Sequence, residues 1–147
     1  MNKMVATLAA LLFACLPLIG MAENSTSIPG YIIHHNALPT DTLSPEVARH
    51  YGLTRSKNRG MLNVSVIKGI PGTTGQPVKA QVSAQATNLA GQSREIELRE
   101  IIDGDAIYYI GNFRVADQET LNFTLQVTPE GSTESYSARL SQQSFIQ

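Results

Sequence analysis

The sequence predicts an all-β fold: an immunoglobulin-like antiparallel β-sandwich of about seven strands with one short helix. Repeated short runs alternate apolar and polar residues, which is the pattern of strands with one buried face. Turns rich in Gly, Pro, Asn and Asp separate these runs. Helices do not alternate with the strands, as they would around a parallel sheet.

The clearest strand lies around residues 121–128, where Leu121, Phe123, Leu125 and Val127 alternate with polar residues. One face of this strand is wholly apolar, so it must cover a core with its other face to solvent. Similar alternation predicts the other strands, at residues 31–38, 62–66, 78–86, 96–98, 107–115 and 136–140.

The strand at residues 107–115 has two unusual features. Gly111 interrupts its apolar stripe, which indicates a bulge or the close approach of another backbone. Tyr108 and Ile110 lie on the opposite face, so the strand is apolar on both sides. Either the short helix covers that second face, or it is an exposed patch for a partner.

A single helix of about two turns is predicted from Pro45. Ser44 can cap its N-terminus, and proline fits the first helical position. Gly52 suits the left-handed backbone conformation that commonly ends a helix. Val47 and Tyr51 share one face of this helix at i, i+4 spacing.

Residues 1–22 have the pattern of a secretory signal peptide. Lys3 precedes a mainly apolar stretch, and Gly20 and Ala22 place small residues before a cleavage point at Glu23. The unbroken apolar run is shorter than the roughly 20 residues of a membrane span. Lipidation at Cys15 is the alternative outcome of export, and it would make the protein a lipoprotein. The expected product is a periplasmic protein without a transmembrane segment.

The remaining chain divides into a flexible leader at residues 23–30 and one sandwich domain at residues 31–147. These 125 residues carry ten basic and twelve acidic side chains, a formal net charge of −2. This charge offers no general attraction to nucleic acid, which is therefore not an expected partner. Cys15 is the only cysteine, so the exported part has neither disulfides nor thiolate chemistry.

No motif identifies an enzyme. The three histidines are His34, His35 and His50, and the first two point to opposite faces of a strand, so they cannot bind one metal ion together. Ser65 and Lys68 have Ser-x-x-Lys spacing, but that chemistry needs a helix and this segment is predicted to be a strand. No catalytic residue, metal site or cofactor is therefore predicted.

Residues 55–59 are the strongest candidate for a binding site. Arg55, Lys57 and Arg59 place three cations within five residues, with Asn58 among them. Such cations can bind a phosphate, a sugar acid or a partner's carboxylates. If this segment begins the next strand, the three cations share one face. The alternative is a solvated connection whose charges pair within the domain or protect a sheet edge.

Several segments resemble an uncharacterised family of exported bacterial proteins, known only as a domain of unknown function. The segments are His34-His35-Asn36-Ala37 and residues 43–48, 55–60, 62–66, 88–89, 91–92, 99–101 and 105–111. The resemblance covers nearly all of the exported chain. It implies a periplasmic location and an immunoglobulin-like sandwich, and it brings no activity or catalytic residue.

The sequence therefore favours a non-enzymatic periplasmic binding or protein-interaction module. Its expected partner is a protein or an anionic component of the cell envelope. The alternative is a periplasmic enzyme or metal-binding protein that uses His34 or His50 with carboxylates from loops.

Overall fold

A computed structural model describes residues 24–144. The predicted signal peptide, its cleavage site and Cys15 lie outside the described residues. The described chain forms ten strands and one α-helix: β1 Ser25–Ile28, β2 Tyr31–Pro39, α1 Pro45–His50, β3 Arg59–Lys68, β4 Gln76–Pro77, β5 Ala80–Asn88, β6 Ser93–Ile96, β7 Arg99–Asp103, β8 Ala106–Arg114, β9 Thr120–Pro129 and β10 Tyr136–Gln143. A single 3-10 turn, Thr40–Thr42, precedes α1. Within residues 24–144, no helix is long and apolar enough to cross a membrane.

The strands form two antiparallel sheets, which confirms the predicted all-β sandwich. The first sheet has the order β1-β2-β3-β8-β7, with β4 paired to the end of β3, and the second has the order β10-β9-β5-β6. The inner faces of both sheets enclose one apolar core. Phe113 of the first sheet meets Phe123 of the second edge to face, with ring centroids 5.0 Å apart. The alternation predicted around residues 121–128 is confirmed, since Phe123, Leu125 and Val127 are fully buried.

The flexible leader predicted at residues 23–30 differs from the structure, which places Ser25–Ile28 in a strand. This strand, β1, pairs antiparallel with β2 along its whole length. Its Thr26 hydroxyl also lies 2.9 Å from Nε2 of His35, which is buried. Polar composition suggested a loop, but pairing with an open sheet edge satisfies the backbone of this segment.

The chain crosses between the sheets at Glu97 and Leu98, inside what the alternation predicted as one strand. Residues before this point belong to β6 in the second sheet and those after it to β7 in the first. Gly111 makes the crossing possible, because a Cβ at this position would lie 2.5 Å from the carbonyl oxygen of Glu97. The close backbone approach predicted at this glycine is confirmed.

The helix α1 packs on the outer face of the first sheet. As predicted, it begins after Ser44, whose hydroxyl accepts the Val47 N–H at 3.2 Å. Its contact residue is Ala48, which is buried together with Ile110 in a second apolar cluster. Val47 remains 40% exposed, whereas Tyr51 packs against the same cluster as Ala48. The helix thus covers the second apolar face of β8, as the first alternative predicted.

Candidate anion-binding site

The basic segment lies in the connection between α1 and β3. The strand β3 begins only at Arg59, so Arg55 and Lys57 precede it and do not alternate along its face. Arg55, Lys57 and Asn58 are exposed, and Arg59 is half-buried. The structure therefore presents these residues on a bend that leads into a core strand.

Hydrogen bonds fix this bend to the body of the domain. Thr40 is fully buried, and its hydroxyl accepts the Ser56 N–H at 2.9 Å and donates to the Ser56 carbonyl oxygen at 3.1 Å. The Arg55 guanidinium donates to the backbone oxygen of Asp41 at 3.1 Å. The backbone oxygen of Asn58 accepts the Val115 N–H at 2.9 Å. These contacts reduce the conformational freedom that the bend would lose on binding a partner.

A second arginine lies directly opposite Arg59. In the register of β3 and β8, Arg59 pairs with Arg114 on the outer face of the sheet. The Arg59 guanidinium donates to Oδ1 of Asn112 at 3.4 Å, a neutral acceptor. Within residues 24–144, no carboxylate lies within ion-pair distance of Arg59 or Arg114. Like charges in directly opposed positions destabilise a sheet, so this pair is a favourable place for an external anion.

A third arginine reaches the same place from the other sheet. Arg94 of β6 donates to the backbone oxygen of Arg114 at 2.5 Å. Beside this contact lies an open groove of about 400 Å³. The groove is lined by Ser56, Asn58, Arg59, Arg114 and Val115.

We call this region the basic end of the sandwich. It contains half of the ten cations outside residues 1–22, namely Arg55, Lys57, Arg59, Arg94 and Arg114. Acidic residues are also present there. Glu119 accepts the Ala116 N–H at 2.8 Å and thereby closes the turn between β8 and β9, while Lys57 and Asp117 are each engaged in interactions. The uncompensated positive charge thus lies at Arg59 and Arg114.

Sequence reasoning missed Arg94 and Arg114. Arg114 follows its strand pattern as an ordinary polar position, whereas Arg94 lies opposite the buried Ala86. Each is separated from residues 55–59 by more than 30 positions. Only the pairing of β3 with β8 brings Arg114 opposite Arg59. The alternation in both strands was visible, but it does not specify the register between them.

The opposite end of the sandwich carries five of the twelve acidic residues. We call it the acidic end, and its members are Glu100, Asp103, Asp105, Glu130 and Glu134, with Lys68 and Lys79. Its main feature is a groove of about 440 Å³ bordered by Lys79, Glu100 and Glu130. Lys79 Nζ lies 3.6 Å from a Glu100 carboxylate oxygen, and the buried Tyr109 hydroxyl donates to Glu100 at 3.0 Å.

Tyr109 connects the two sheets at this end. Its hydroxyl also accepts the Ala80 N–H at 2.8 Å. Burial raises the pKa of Tyr109, and the nearby Glu100 and Glu130 raise it further, although the Ala80 N–H acts in the opposite direction. Because the phenol stays neutral well above neutral pH, it serves as a structural hydrogen-bonding group.

The histidines occupy three different environments. His35 faces the core and is buried, whereas His34 faces outward and is exposed, as the strand alternation predicted. His50, at the end of α1, lies 3.4 Å from Asp103, and both side chains are about half exposed. Tyr51 donates to the same carboxylate at 3.5 Å, and partial burial followed by Tyr108 and Asp103 raises the Tyr51 pKa. Among the described residues, no three His, Cys, Asp or Glu side chains are grouped to hold a metal ion.

Comparison with protein families gives one match. A family model described as a domain of unknown function (DUF4426) matches residues 25–147. Comparison with the curated proteins gives no match.

Solved structures give three informative matches. A DUF4426 family protein from Pseudomonas aeruginosa PAO1 is 29% identical, with a TM-score of 0.71, and the match covers 84% of this chain and 94% of that one. FetP of uropathogenic E. coli strain F11, expressed recombinantly in the periplasm, is 11% identical with a TM-score of 0.60, over 86% and 95% of the two chains. A copper-bound FetP variant is 12% identical with a TM-score of 0.59, over 86% and 97%. The similarity to FetP is a similarity of fold.

Proposed function

The chain belongs to the DUF4426 family, and on that premise we propose that it is a non-enzymatic binding or protein-interaction module of the periplasm. Its binding surface is the basic end, where Arg55, Lys57, Asn58 and Arg59 from the α1–β3 connection are joined by Arg114. The ligand is an anionic group, a phosphate or carboxylate, carried by a partner protein or by a component of the cell envelope.

The in-register pair of Arg59 and Arg114 supports this proposal most strongly. Both arginines belong to paired strands of the first sheet, so the scaffold positions them without the ligand. Each guanidinium can donate two parallel hydrogen bonds to one phosphate or carboxylate. Binding an anion between them would relieve their mutual repulsion. The groove beside them provides room for the group that carries the anion.

The periplasmic location is supported by the signal-peptide pattern of residues 1–22 and by the recombinant expression of the structurally similar FetP in the periplasm. Mass spectrometry of protein from the periplasm is expected to find an N-terminus at Glu23. A diacylglyceryl group on Cys15 would instead place the protein on a membrane.

Crosslinking in intact cells tests the interaction. A photo-reactive residue replaces Asn58 in the groove, in the wild-type background and in an Arg59→Gln/Arg114→Gln background. We expect a specific adduct that is lost in the double variant. An Arg139→Gln variant serves as the control, because Arg139 is exposed on β10 and belongs to the other sheet. An identical adduct profile in all three backgrounds, with folding intact, would refute a role for the two arginines.

Metal binding is the second candidate function. It is suggested by the copper-bound form of FetP and by the polar surroundings of His34 in this chain. His50 is the weaker choice, since Asp103 is the one carboxylate at ion-pair distance from it among residues 24–144. Retention of stoichiometric metal by protein purified without a histidine tag would favour this function, and complete loss during dialysis would oppose it.

A further inference from the structure

The strand β7 forms one edge of the first sheet. It pairs with β8 on one side, and no strand of residues 24–144 pairs with its other side. Proteins usually protect such an edge with proline, lysine, a bulge or a covering loop. β7 contains neither proline nor lysine, and its register with β8 runs without a bulge. Its backbone is therefore open to pairing with another strand.

Ile102 of β7 is unusually exposed for an apolar strand residue. It is 58% exposed, more than any other large apolar side chain in the described strands. Its in-register neighbour on β8 is Ile107, which packs against the main core. Ile102 therefore lies on the core-facing side of the sheet, where burial against another chain would be favourable.

The turn between β7 and β8 indicates which backbone groups of β7 point to the free edge. The two strands are joined by two residues, and the first, Gly104, has a φ of 59°. Glycine takes this position in a type II′ turn, whose flanking residues, here Asp103 and Ala106, form a hydrogen-bonded pair. Hydrogen-bonded and non-hydrogen-bonded pairs alternate along antiparallel strands. The backbone groups of Glu100 and Ile102 therefore point away from β8.

A second copy of β7 fits this edge in an antiparallel register centred on Ile101. Residues whose backbone groups point outward must pair with one another, so Glu100 lies opposite Ile102 of the second copy. Ile101 then lies opposite its own copy on a two-fold axis. The same register places Arg99 opposite Asp103 of the second copy, on both sides of the axis. A shift by two residues would leave two of the five residues of each strand unpaired.

Arg99 and Asp103 are available for these two charge pairs. Both side chains are exposed. Arg99 donates to the Tyr51 backbone oxygen at 2.6 Å, and Asp103 contacts His50 and the Tyr51 hydroxyl. A guanidinium has five N–H donors and a carboxylate about four acceptor sites, so each group can add a contact across the edge. Non-hydrogen-bonded pairs also bring opposed side chains closest together.

We propose that β7 is a homodimerisation edge, through which two copies join their first sheets into one continuous antiparallel sheet. The charge complementarity of Arg99 with Asp103 selects a second copy of this chain as the partner. The two Ile102 side chains lie diagonally across the axis, within reach of each other. One strand pair is a small interface, so the association is expected to be weak. The edge contains none of the residues of the basic end, and the inference does not depend on the proposed anion site.

Sedimentation equilibrium of the purified protein tests the dimer, over about 0.01–1 mM, where a small interface becomes populated. We expect a monomer–dimer equilibrium in wild type. Ile102→Lys should weaken it about tenfold or more, because it places a charge in the interface. The matched control is Leu89→Lys, which changes a 78% exposed leucine between β5 and β6 and should leave the equilibrium unchanged. A wild type that stays monomeric, or a dimer that Ile102→Lys does not weaken, would overturn the proposal.

A mixing experiment tests the register. Arg99→Asp alone and Asp103→Arg alone each place like charges opposite each other, so each should weaken the dimer about tenfold or more. In an equimolar mixture of the two variants both charge pairs are again complementary, and association should return. Failure of the mixture to associate, with both variants folded by thermal melting, would overturn the register.

Amide NMR spectra of wild type at increasing concentration provide a measurement that needs no variant. Concentration-dependent shifts are expected at residues 99–103. Their absence would overturn the proposal even if a variant failed to fold.

Discussion

The two ends of the sandwich hold their charged side chains in different ways. At the acidic end, charged or hydroxyl donors contact the carboxylates: Lys79 and Tyr109 contact Glu100, and His50 and Tyr51 contact Asp103. Lys79 therefore compensates the charge of Glu100 inside the domain, and hydrogen bonds orient the Asp103 carboxylate.

At the basic end, neutral oxygens hold the guanidinium groups. Arg55 donates to a backbone oxygen, Arg59 to the Asn112 side chain, and Arg94 to the backbone oxygen of Arg114. Such contacts orient a cation without neutralising it. The comparison shows why a chain with more acidic than basic residues can still present a local site for anions.

The largest expected effect on stability comes from a substitution in the apolar core between the two sheets. Phe123 is 1% exposed and packs against Phe113. Phe123→Ala should lower the free energy of unfolding by about 3–5 kcal/mol, through lost burial and the cavity left behind. Thr124→Ala, on the opposite face of β9, should cost less than about 0.5 kcal/mol. Comparable shifts of the urea midpoint for the two variants would contradict the register of this strand.

At the acidic end, Tyr109 joins the two sheets. Tyr109→Phe leaves the ring in place but removes the acceptor for Ala80 N–H and the donor to Glu100, so it should cost about 1–3 kcal/mol in urea denaturation. The matched control is Tyr136→Phe, since that hydroxyl donates to Glu134 on the surface. A loss at Tyr109 no greater than at Tyr136 would show that this network is not structural.

Tyr109 should also make the stability of the folded domain depend on pH. Burial raises the pKa of Tyr109 in the folded state above its usual value near 10. The unfolded chain therefore loses this proton first, so stability is full below about pH 10 and falls as the pH rises through the folded-state value. Wild type should lose more stability than Tyr109→Phe between neutral and strongly alkaline pH in urea titrations. Parallel curves for the two proteins would contradict this assignment.

Removing one positive charge should change the free energy of unfolding in opposite directions at the two ends. Arg114→Gln should raise the free energy of unfolding by about 0.2–1 kcal/mol, because it relieves the repulsion with Arg59. Lys79→Gln should lower it, by no more than about 1 kcal/mol, because it removes a solvent-exposed ion pair. Urea denaturation at low salt measures both effects. A destabilised Arg114→Gln variant would mean that Arg114 is compensated within the domain.

The local parts of this structure were predictable from the sequence. The alternation of Leu121 to Val127 identified β9, Ser44 and Pro45 identified the start of α1, and Gly111 indicated a close backbone approach. Each of these signals depends on residues that are near one another in the chain. The separation of His34 from His35 by strand geometry was predictable for the same reason.

The parts that were missed depend on pairing between distant segments. Ile96 and Leu98 look like one strand, and only the packing at Gly111 shows that the chain changes sheets between them. The polar segment Ser25–Ile28 becomes a strand because the edge of β2 is available. The Arg59–Arg114 pair depends on a register that neither strand specifies alone. The sequence therefore identified residues 55–59 of the candidate site but not Arg114, which lies opposite Arg59.

Titration with inorganic phosphate tests the account most directly. Amide NMR spectra of wild type, the Arg59→Gln/Arg114→Gln variant and the Arg139→Gln control are followed as phosphate replaces chloride at constant ionic strength. Saturable shifts are expected at Asn58, Arg59, Arg114 and Val115 in wild type and in the control, and they should be absent in the double variant. Shifts of equal size in all three proteins, or none at these amides in wild type, would contradict an anion site at the basic end.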